Sequence, residues 1–259
     1  MRTIAVMNQK GGVGKTTTVL NLGHAIALAG KRVLLIDLDP QSHLTDSLGL
    51  HGYGGEGVDS VVLDGQPISQ HSLAVRDKLL LLPAGPRLST LESVTEGGAQ
   101  RGWRLHKALE SSQDIDYVLI DCPPSAGLIT MNGLMAAQEL IIPVSSDYLS
   151  LHGLSRLMPI LDHIGSTLKK PTRRWVLLTR FQRQRRLAQE VQQKLQEHFA
   201  DSLLSTPIRE NVSLAESPSY GQTIFEYKKN SYGAEDYTAL AVAILQQAPH
   251  ENNVHTAVG

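Results

Sequence analysis

The fold of this chain is decided by one stretch, Asn8-Gln9-Lys10-Gly11-Gly12-Val13-Gly14-Lys15-Thr16-Thr17. The short apolar, β-branched run before it, residues 3–7, predicts a buried strand, and the apolar positions of residues 17–29 predict a helix. A glycine-rich turn between a strand and a helix lets backbone N–H groups surround an anion at the positive end of the helix. The stretch therefore predicts a phosphate-binding loop.

A phosphate-binding loop of this kind assigns a role to each of its residues. Lys15 is expected to neutralise the β- and γ-phosphates, and the Thr16 hydroxyl is expected to ligate Mg²⁺, so the predicted cofactors are ATP and Mg²⁺. The common pattern has a glycine where this chain has Gln9, and a second lysine, Lys10, precedes the glycine pair. The residues predicted to bind the nucleotide are Gly11, Gly12, Val13, Gly14, Lys15, Thr16 and Thr17.

Two further predicted strands end in aspartate. Residues 32–37 lead into Asp37 and Asp39, and residues 117–120 lead into Asp121. Ligands bind at the carboxyl ends of the strands in open parallel sheets, so these carboxylates are expected near the phosphates. Asp121 is expected to face the Mg²⁺-bound water, so Thr16 and Asp121 are expected at the metal. The alternative interpretation of Asp37 and Asp39 is a turn stopped by Pro40.

Strands alternate with helices along the chain, which predicts one α/β domain over residues 1–247. Its sheet is expected to be doubly wound, mostly parallel and covered by helices on both faces. Helices are predicted at residues 89–96, 103–110 and 233–247, and the polar residues 248–259 are predicted to be a disordered tail. One further helix carries apolar residues at every fourth position, which predicts a stripe that packs into the core. The stripe consists of Leu187, Val191, Leu195 and Phe199.

The composition favours a cytoplasmic protein. The chain contains no run of about 18 apolar residues, so no membrane-spanning helix is expected. The first strand begins at once, which leaves no room for a signal peptide. Cys122 is the single cysteine among 259 residues, which excludes an internal disulfide and fits a reducing compartment. A small core residue is the favoured role for Cys122.

The formal net charge of −1 conceals a concentration of basic residues. Between residues 169 and 186 the chain has eight lysines and arginines and no acidic residue. Such a run is often only a solvated face, but it is also typical of a surface that contacts nucleic-acid phosphates. The predicted DNA contacts are the last three of the run, Arg183, Arg185 and Arg186.

The segment from Lys10 to Thr16 resembles the deviant Walker A motif of the ParA/MinD family of ATPases. The order of the motifs resembles that family over roughly the first 245 residues, and Gln9 resembles the ParA branch. The resemblance implies that Lys10 reaches across a homodimer to the partner's phosphates. It also implies that Asp39 orients the attacking water, while Asp37 supports the Mg²⁺ shell. The catalytic residues are thus expected to be Lys10, Lys15 and Asp39.

The same resemblance extends to three other segments. Pro123 and Pro124 resemble the switch segment that senses the γ-phosphate. Residues 147–154 resemble a run at the dimer interface, and residues 206–221 resemble a loop near the adenine. In this loop the chain departs from the usual pattern, because it has Arg209, Glu210 and Ser213 at positions where the family usually has proline, arginine and a basic residue.

Three uses of such an ATPase remain open on the sequence. The favoured one is positioning of a plasmid, chromosome or protein complex on nonspecific double-stranded DNA, with slow hydrolysis raised by a ParB-like or cargo adaptor protein and with nucleoid association. The second is MinD-like patterning on a membrane surface, which requires a C-terminal amphipathic helix. The polar tail with Pro249 argues against a membrane partner. The third is a metabolic or assembly ATPase of the same fold, for which the paired cysteines of a cluster carrier are lacking.

Overall fold

The computed structural model describes residues 1–95, 97–112, 114–170 and 172–247. Seven strands form one sheet in the order β3-β4-β2-β5-β1-β6-β7. Every neighbouring pair is parallel except β3 with β4, which confirms the prediction of a mostly parallel sheet. The strands are β1 (Arg2–Val6), β2 (Val33–Asp37), β3 (Leu73–Arg76), β4 (Leu79–Leu82), β5 (Tyr117–Asp121), β6 (Glu139–Ser145) and β7 (Arg173–Thr179). The predicted tail, residues 248–259, lies outside the described residues.

Helices connect these strands and pack on the sheet. The α-helices are α1 (Lys15–Leu28), α2 (His43–Ser47), α3 (Val58–Asp64), α4 (Ile68–His71), α5 (Arg104–Glu110), α6 (Leu128–Ala136), α7 (Tyr148–Thr167), α8 (Arg186–Phe199), α9 (Val212–Glu216), α10 (Ile224–Tyr227) and α11 (Tyr232–Gln246). Three short 3₁₀ helices span Leu88–Ser93, Gly98–Trp103 and Ser217–Tyr220. Within the described ranges, no helix combines the length and the apolar character needed to cross a membrane.

The sheet has a hydrophobic core on each face. Successive residues of a strand point to opposite faces, and in β2 Leu34 belongs to one core cluster while Leu35 belongs to the other. The cluster of Leu35 includes residues of α1 and α11, whereas that of Leu34 includes residues of α3, α5, α6, α7 and α8. Strands buried on both faces read as continuous apolar runs, which is why they could be predicted from the sequence.

β1 lies inside the sheet, with four strands on one side and two on the other. It pairs in parallel with β5 on one side and with β6 on the other, so that Ile4 lies opposite both Leu119 and Glu139. The chain continues from β1 to β2 on the β5 side, and reaches β6 and β7 on the other side only later. Loops diverge at such a switch in strand order and leave a crevice beyond the carboxyl ends of the strands. The glycine-rich stretch, residues 8–17, lies at this point.

The amino end of β1 is tied to the last helix by a buried arginine. Arg2 is 4% exposed, and its Nε donates to Glu139 Oε1 at 2.5 Å. Its Nη1 donates to the carbonyl of Ile244 at 2.5 Å and to that of Gln247 at 3.2 Å. A buried charge is tolerated only when it is paired and hydrogen-bonded, and Arg2 satisfies both conditions with groups from distant parts of the chain.

Two predictions of local structure were confirmed only in part. The helix predicted at residues 89–96 is a 3₁₀ helix, Leu88–Ser93, and only its Leu88 and Leu91 are buried. In the predicted stripe of α8, Leu187 is 48% exposed, and Ala188 takes its place beside Val191 and Leu195 in the core. A residue advances 100° around a helix, so positions spaced by four drift by about 40° at each step and the ends of a long stripe leave the core.

Candidate nucleotide-binding site

The glycine-rich loop joins β1 to α1 and is held by strands on the far side of β1. The Asn8 amide donates to the carbonyl of Pro143 in β6 at 2.7 Å, while its Oδ1 accepts from the backbone of Lys10 at 3.0 Å. The hydroxyl of Thr179, at the end of β7, donates to the carbonyl of Val13 at 2.8 Å. These bonds fix the loop before any ligand arrives.

Two glycines give the loop its shape. Gly12 and Gly14 have φ angles of 73° and 89°, in the left-handed region that side chains disfavour. Gly14 is the residue that caps the start of α1. Apart from each glycine and its chain neighbours, no heavy atom of the described residues lies within 4 Å of the position that a Cβ would take at Gly11 or Gly12. The backbone of the loop is therefore open toward the crevice, as a phosphate cradle requires.

Lys15 lies at the base of this loop. It is 8% exposed, and its Nζ is 3.4 Å from the carbonyl of Lys10. Burial lowers the pKa of Lys15, against the opposing attraction of Asp121 and Asp39. A buried lysine without a close carboxylate has donors free for an anion. The position of Lys15 suits an anion, and its role at the phosphates stays a prediction.

Thr16 and Asp121 meet beneath the loop. The Thr16 hydroxyl donates to Asp121 Oδ2 at 2.6 Å. The other carboxylate oxygen, Oδ1, is buried and has no hydrogen-bond partner within the described part of the chain. Burial and then the neighbouring Asp37 raise the pKa of Asp121 well above its usual range. A hydroxyl beside an unpaired carboxylate oxygen suits a hard divalent cation, so these residues fit the predicted Mg²⁺.

Asp37 has a different environment from Asp121. Its Oδ1 accepts from the backbone of Asp39 at 3.1 Å, and its Oδ2 accepts from the backbone and hydroxyl of Thr45 at 2.9 and 2.7 Å. Burial raises the pKa of Asp37 to about 6, although the hydrogen bonds from Thr45 and Asp39 oppose this. The carboxylate thus fixes the turn that carries Asp39 and the start of α2.

Asp39 points into the crevice from that turn. It is partly exposed, and its Oδ1 accepts from the backbone of Gln41 at 3.0 Å. Together with Lys15 and Thr16 it lines a cavity of about 990 Å³, which is large enough for a nucleotide. The geometry therefore brings seven of the predicted site residues to one cavity, namely Gly11, Gly12, Gly14, Lys15, Thr16, Thr17 and Asp39.

Lys10 is held by partners within its own chain. Its Nζ donates to Asp147 Oδ1 at 2.8 Å and to the hydroxyl of Ser150 at 2.9 Å. Asp147 caps the start of α7 by accepting from the backbone of Ser150, and its Oδ2 accepts from the hydroxyl of Ser145 at 2.6 Å. Burial alone would raise the pKa of Asp147, but these donors, Lys10 first, hold it well below the usual range.

The far wall of the cavity is the loop that resembles the family's adenine-contacting segment. Its cavity-lining residues include Arg209, Asn211, Val212, Ala215 and Pro218. Arg209 does not point freely into the cavity, because it donates to Asp236 and Glu235 in α11 and lies 4.1 Å from the centre of the Tyr232 ring.

The basic run of residues 169–186 is divided by β7. Before the strand, Lys170 donates to the carbonyls of Leu134 and Met135 at the end of α6. Beyond the strand, Arg183, Arg185 and Arg186 are exposed at the start of α8, where Arg186 Nε donates to Glu190 at 2.9 Å. The eight basic residues therefore form two separate groups at opposite ends of β7, and only the second group is near the cavity.

Some residues of the site were missed by sequence reasoning. No role was predicted for Thr179 or Ser145, which each lie at the end of a strand. Thr179 contacts Val13, which is distant in the sequence. Ser145 contacts Asp147, just beyond the end of β6. His43, Asp46 and His51 also line the cavity, although residues 42–78 carry no motif. Only the position of Thr179 at the end of a predicted strand next to the loop could have suggested its contact.

Comparison with known proteins shows the family to which this chain belongs. A family profile described as an AAA domain matches residues 1–173. The sporulation initiation inhibitor protein Soj of Bacillus subtilis is 40% identical over 247 residues, which cover 93% of this chain and 96% of Soj. The chain belongs to the ParA/MinD family of P-loop ATPases. Another member, the chromosome partitioning protein ParA of Caulobacter vibrioides, is 35% identical to it over 253 residues, with 95% of each chain covered.

A solved structure similar to this ParA/MinD-family chain contains a bound nucleotide. The Mycobacterium smegmatis protein described as cobyrinic acid a,c-diamide synthase, with bound ADP and magnesium, has a TM-score of 0.81 and 32% identity. The match covers 95% of this chain and 94% of that protein. Binding of nucleotide and magnesium thus occurs on a fold of this kind.

Proposed function

We propose that this protein is an ATP-dependent dimerising switch that positions or partitions a plasmid, a chromosome or a protein complex, with nonspecific DNA as its scaffold. One observation carries the proposal: the phosphate loop above Thr16 and Asp121 is accompanied by a second lysine, Lys10, on its outer side. The name of one relative, the chromosome partitioning protein ParA of Caulobacter vibrioides, supports a role in partitioning.

The proposed reaction is hydrolysis of ATP to ADP and phosphate. It has no covalent intermediate on the protein, so positioning and charge neutralisation carry the catalysis. Backbone groups of residues 11–17 and Lys15 would hold the phosphates. Thr16 and Asp121 would hold Mg²⁺, which neutralises charge on the phosphates, with Asp37 supporting the site from the neighbouring turn. Asp39 would orient the attacking water from its partly exposed position in the cavity.

The proposed dimer is formed through the face that carries Lys10. Next to the Lys10–Asp147 pair, α7 begins with Tyr148 and Leu149, which are 62% and 69% exposed. Exposed apolar side chains beside a ligand cavity favour contact with a partner. In the dimer Lys10 would leave Asp147 and reach the partner's phosphates. An activating ParB-like or cargo adaptor protein would then accelerate a hydrolysis that is slow in its absence.

The proposed scaffold is double-stranded DNA, contacted by Arg183, Arg185 and Arg186. Their side chains are exposed and follow the strand that ends beside the phosphate loop. A dimer would double the number of phosphate contacts, so that DNA affinity would depend on ATP without any reading of base sequence. The protein would accordingly be cytoplasmic and associated with the nucleoid.

The decisive experiment measures binding to random duplex DNA with ATP and with ADP over a range of salt concentrations. Binding is expected with ATP, and log K should fall with log salt by about 0.9 for each phosphate contacted. Replacing Arg183, Arg185 and Arg186 by glutamate should weaken binding to every duplex alike and flatten this slope. ATP affinity should be unchanged, because Lys15 and the loop backbone are intact.

A matched control replaces three exposed lysines, Lys31, Lys107 and Lys169, by glutamate. This variant changes the net charge equally and should retain a steeper salt slope than the arginine variant. An equal loss of DNA affinity in both variants would mean that DNA binding depends only on the net charge of the protein. If wild-type protein with ATP binds no DNA, the scaffold must be something other than DNA.

An alternative function is ATP-driven amide formation, which the similarity to the Mycobacterium smegmatis protein favours. The two functions differ in what ATP hydrolysis requires. A synthetase would consume ATP only with a carboxylate acceptor and an amide nitrogen donor, whereas the proposed switch hydrolyses ATP with DNA and an adaptor alone. Measuring phosphate release with a corrinoid carboxylate and glutamine, and separately with DNA, distinguishes them.

A further inference from the structure

The segment between Asp121 and α6 forms part of the nucleotide cavity. It runs from the end of β5 through Pro123 and Pro124 to Gly127, the residue before α6. Pro124 lines the cavity, and residues 124–126 are exposed. At one end the segment is fixed by β5. Its position therefore depends on what holds the other end, the start of α6.

The start of α6 is held by a residue from another part of the chain. Helix α6 has no capping side chain of its own. Instead, Glu92 Oε2 accepts from the backbone of Leu128 at 2.8 Å, and its Oε1 accepts from that of Ile129 at 3.2 Å. A Cβ added at Gly127 would lie 2.3 Å from Glu92 Oε1. The carboxylate thus lies directly against the backbone at the end of the segment.

The charge of Glu92 suits this position. The first N–H groups of a helix lack partners within the helix, and the helix dipole favours a negative charge there. Within the described ranges, Glu92 forms no ion pair. Its carboxylate is therefore committed to α6 rather than shared with a basic side chain.

Glu92 also belongs to an exposed surface. It lies on the 3₁₀ helix Leu88–Ser93, which is anchored by the buried Leu88 and Leu91. The other residues of this 3₁₀ helix are exposed, namely Ser89, Thr90, Glu92 and Ser93. A contact on this turn would consequently move the group that holds the end of the cavity segment.

We propose that Glu92 is a positioning residue for ATP hydrolysis, which sets the Pro123–Gly127 segment through the start of α6. The inference rests on the proposed ATPase function. Glu92 touches neither the phosphates nor the attacking water, and acts by fixing the backbone that lines the cavity. It also links the exposed turn Leu88–Ser93 to the nucleotide site.

The test compares Glu92→Ala and Glu92→Gln with the wild type in steady-state ATP hydrolysis. Displacement of a positioned group by about 1 Å costs on the order of 100-fold in rate, so Glu92→Ala should lower kcat by roughly 10- to 100-fold. The KM for ATP should stay within about twofold, since Lys15 and the loop are unchanged. Glu92→Gln keeps one acceptor oxygen and should recover part of kcat. Glu110→Ala, an exposed carboxylate on α5, is the control and should match the wild type.

A purely structural role predicts a different result. In that case Glu92→Ala would lower the melting temperature but leave kcat unchanged at temperatures where it is fully folded, and the inference would be overturned. A parallel rise in KM would also overturn it, because the loss would then lie in ATP binding.

Hydrogen exchange separates this inference from the proposed function. The amides of Leu128 and Ile129 should be protected in the wild type, and should exchange faster in Glu92→Ala while those of β5 do not. If the wild type hydrolyses no ATP but these amides respond to the substitution and to bound ATP, the proposed function fails, and what stands is that Glu92 sets the Pro123–Gly127 segment at the nucleotide cavity. Unchanged exchange in the variant would overturn the positioning role itself.

Discussion

Lys10 and Asp147 form an ion pair within one protomer, with 2.8 Å between Lys10 Nζ and Asp147 Oδ1. The same lysine is the one proposed to reach the phosphates of a partner. It cannot do both at once, so the pair competes with dimer formation. The two side chains are 36% and 41% exposed, and a pair of this exposure contributes about 0.2–1 kcal/mol.

Replacing Asp147 by asparagine should favour the ATP-bound dimer. Asparagine keeps the cap of α7 but removes the charge that holds Lys10, so the dimer dissociation constant should fall by up to about fivefold. Light scattering of the Asp39→Ala background with ATP measures this. Adding Lys10→Ala should abolish the gain, and a gain that persists without Lys10 would contradict the competition.

Lys15→Ala should strongly weaken ATP binding. A charge-assisted hydrogen bond contributes about 1.5–3 kcal/mol, so its loss should weaken ATP binding by roughly 10- to 150-fold. Calorimetric titration with ATP and Mg²⁺ measures the effect. Lys31→Ala, an exposed lysine beyond α1, is the matched control, and undiminished affinity in Lys15→Ala would rule out the assigned role.

Asp39→Ala should separate binding from hydrolysis. Loss of a group that orients or deprotonates water typically costs about 10²- to 10⁴-fold in rate, while ATP should still bind and the dimer should accumulate. Single-turnover phosphate release and light scattering report the two effects. Asp77→Ala, an exposed aspartate in the turn between β3 and β4, should behave as the wild type. A variant of Asp39 that hydrolyses normally would remove it from the mechanism.

Lys170 should make the free energy of unfolding depend on pH in the alkaline range. Burial lowers its pKa from 10.5 to about 8, so between these values the unfolded chain binds more protons than the folded protein. The free energy of unfolding attributable to this group should therefore rise with pH from about 8 to about 10.5. Urea titrations of the wild type and Lys170→Met should diverge in favour of the wild type across this window. Lys169→Met is the control, and parallel curves for Lys170→Met would refute the prediction.

The parts of the fold that were predicted correctly are specified locally. Residues 2–6, 33–37 and 117–121 are buried on both faces, so their apolar runs need no partner to be recognised. The loop of residues 8–17 combines a turn, a lysine and a helix start within one short segment. Asp121 ends β5 and Asp39 follows the end of β2 by two residues, so both lie at the edge of the sheet where β1 ends, while their roles stay predictions.

The parts that were missed depend on contacts between distant residues. The edge strand Leu73–Arg76 is antiparallel, only partly buried and irregular in register, so it carries no continuous apolar pattern. The Lys10–Asp147 contact joins residues 137 positions apart. No periodicity in the sequence could reveal this contact. It depends on the pairing of β6 with β1, which brings Asp147, the cap of α7, next to the phosphate loop.

The anchoring of Arg2 has a consequence for synthesis of the protein. Arg2 leaves the ribosome among the first residues, whereas the carbonyls of Ile244 and Gln247 that it binds emerge more than two hundred residues later. Until then β1 carries a charged group that has its ion-pair partner, Glu139, but lacks these two carbonyl acceptors. Nascent chains that stop before α11 should accordingly remain protease-sensitive and depend on chaperones, even when the whole phosphate loop is already outside the exit tunnel.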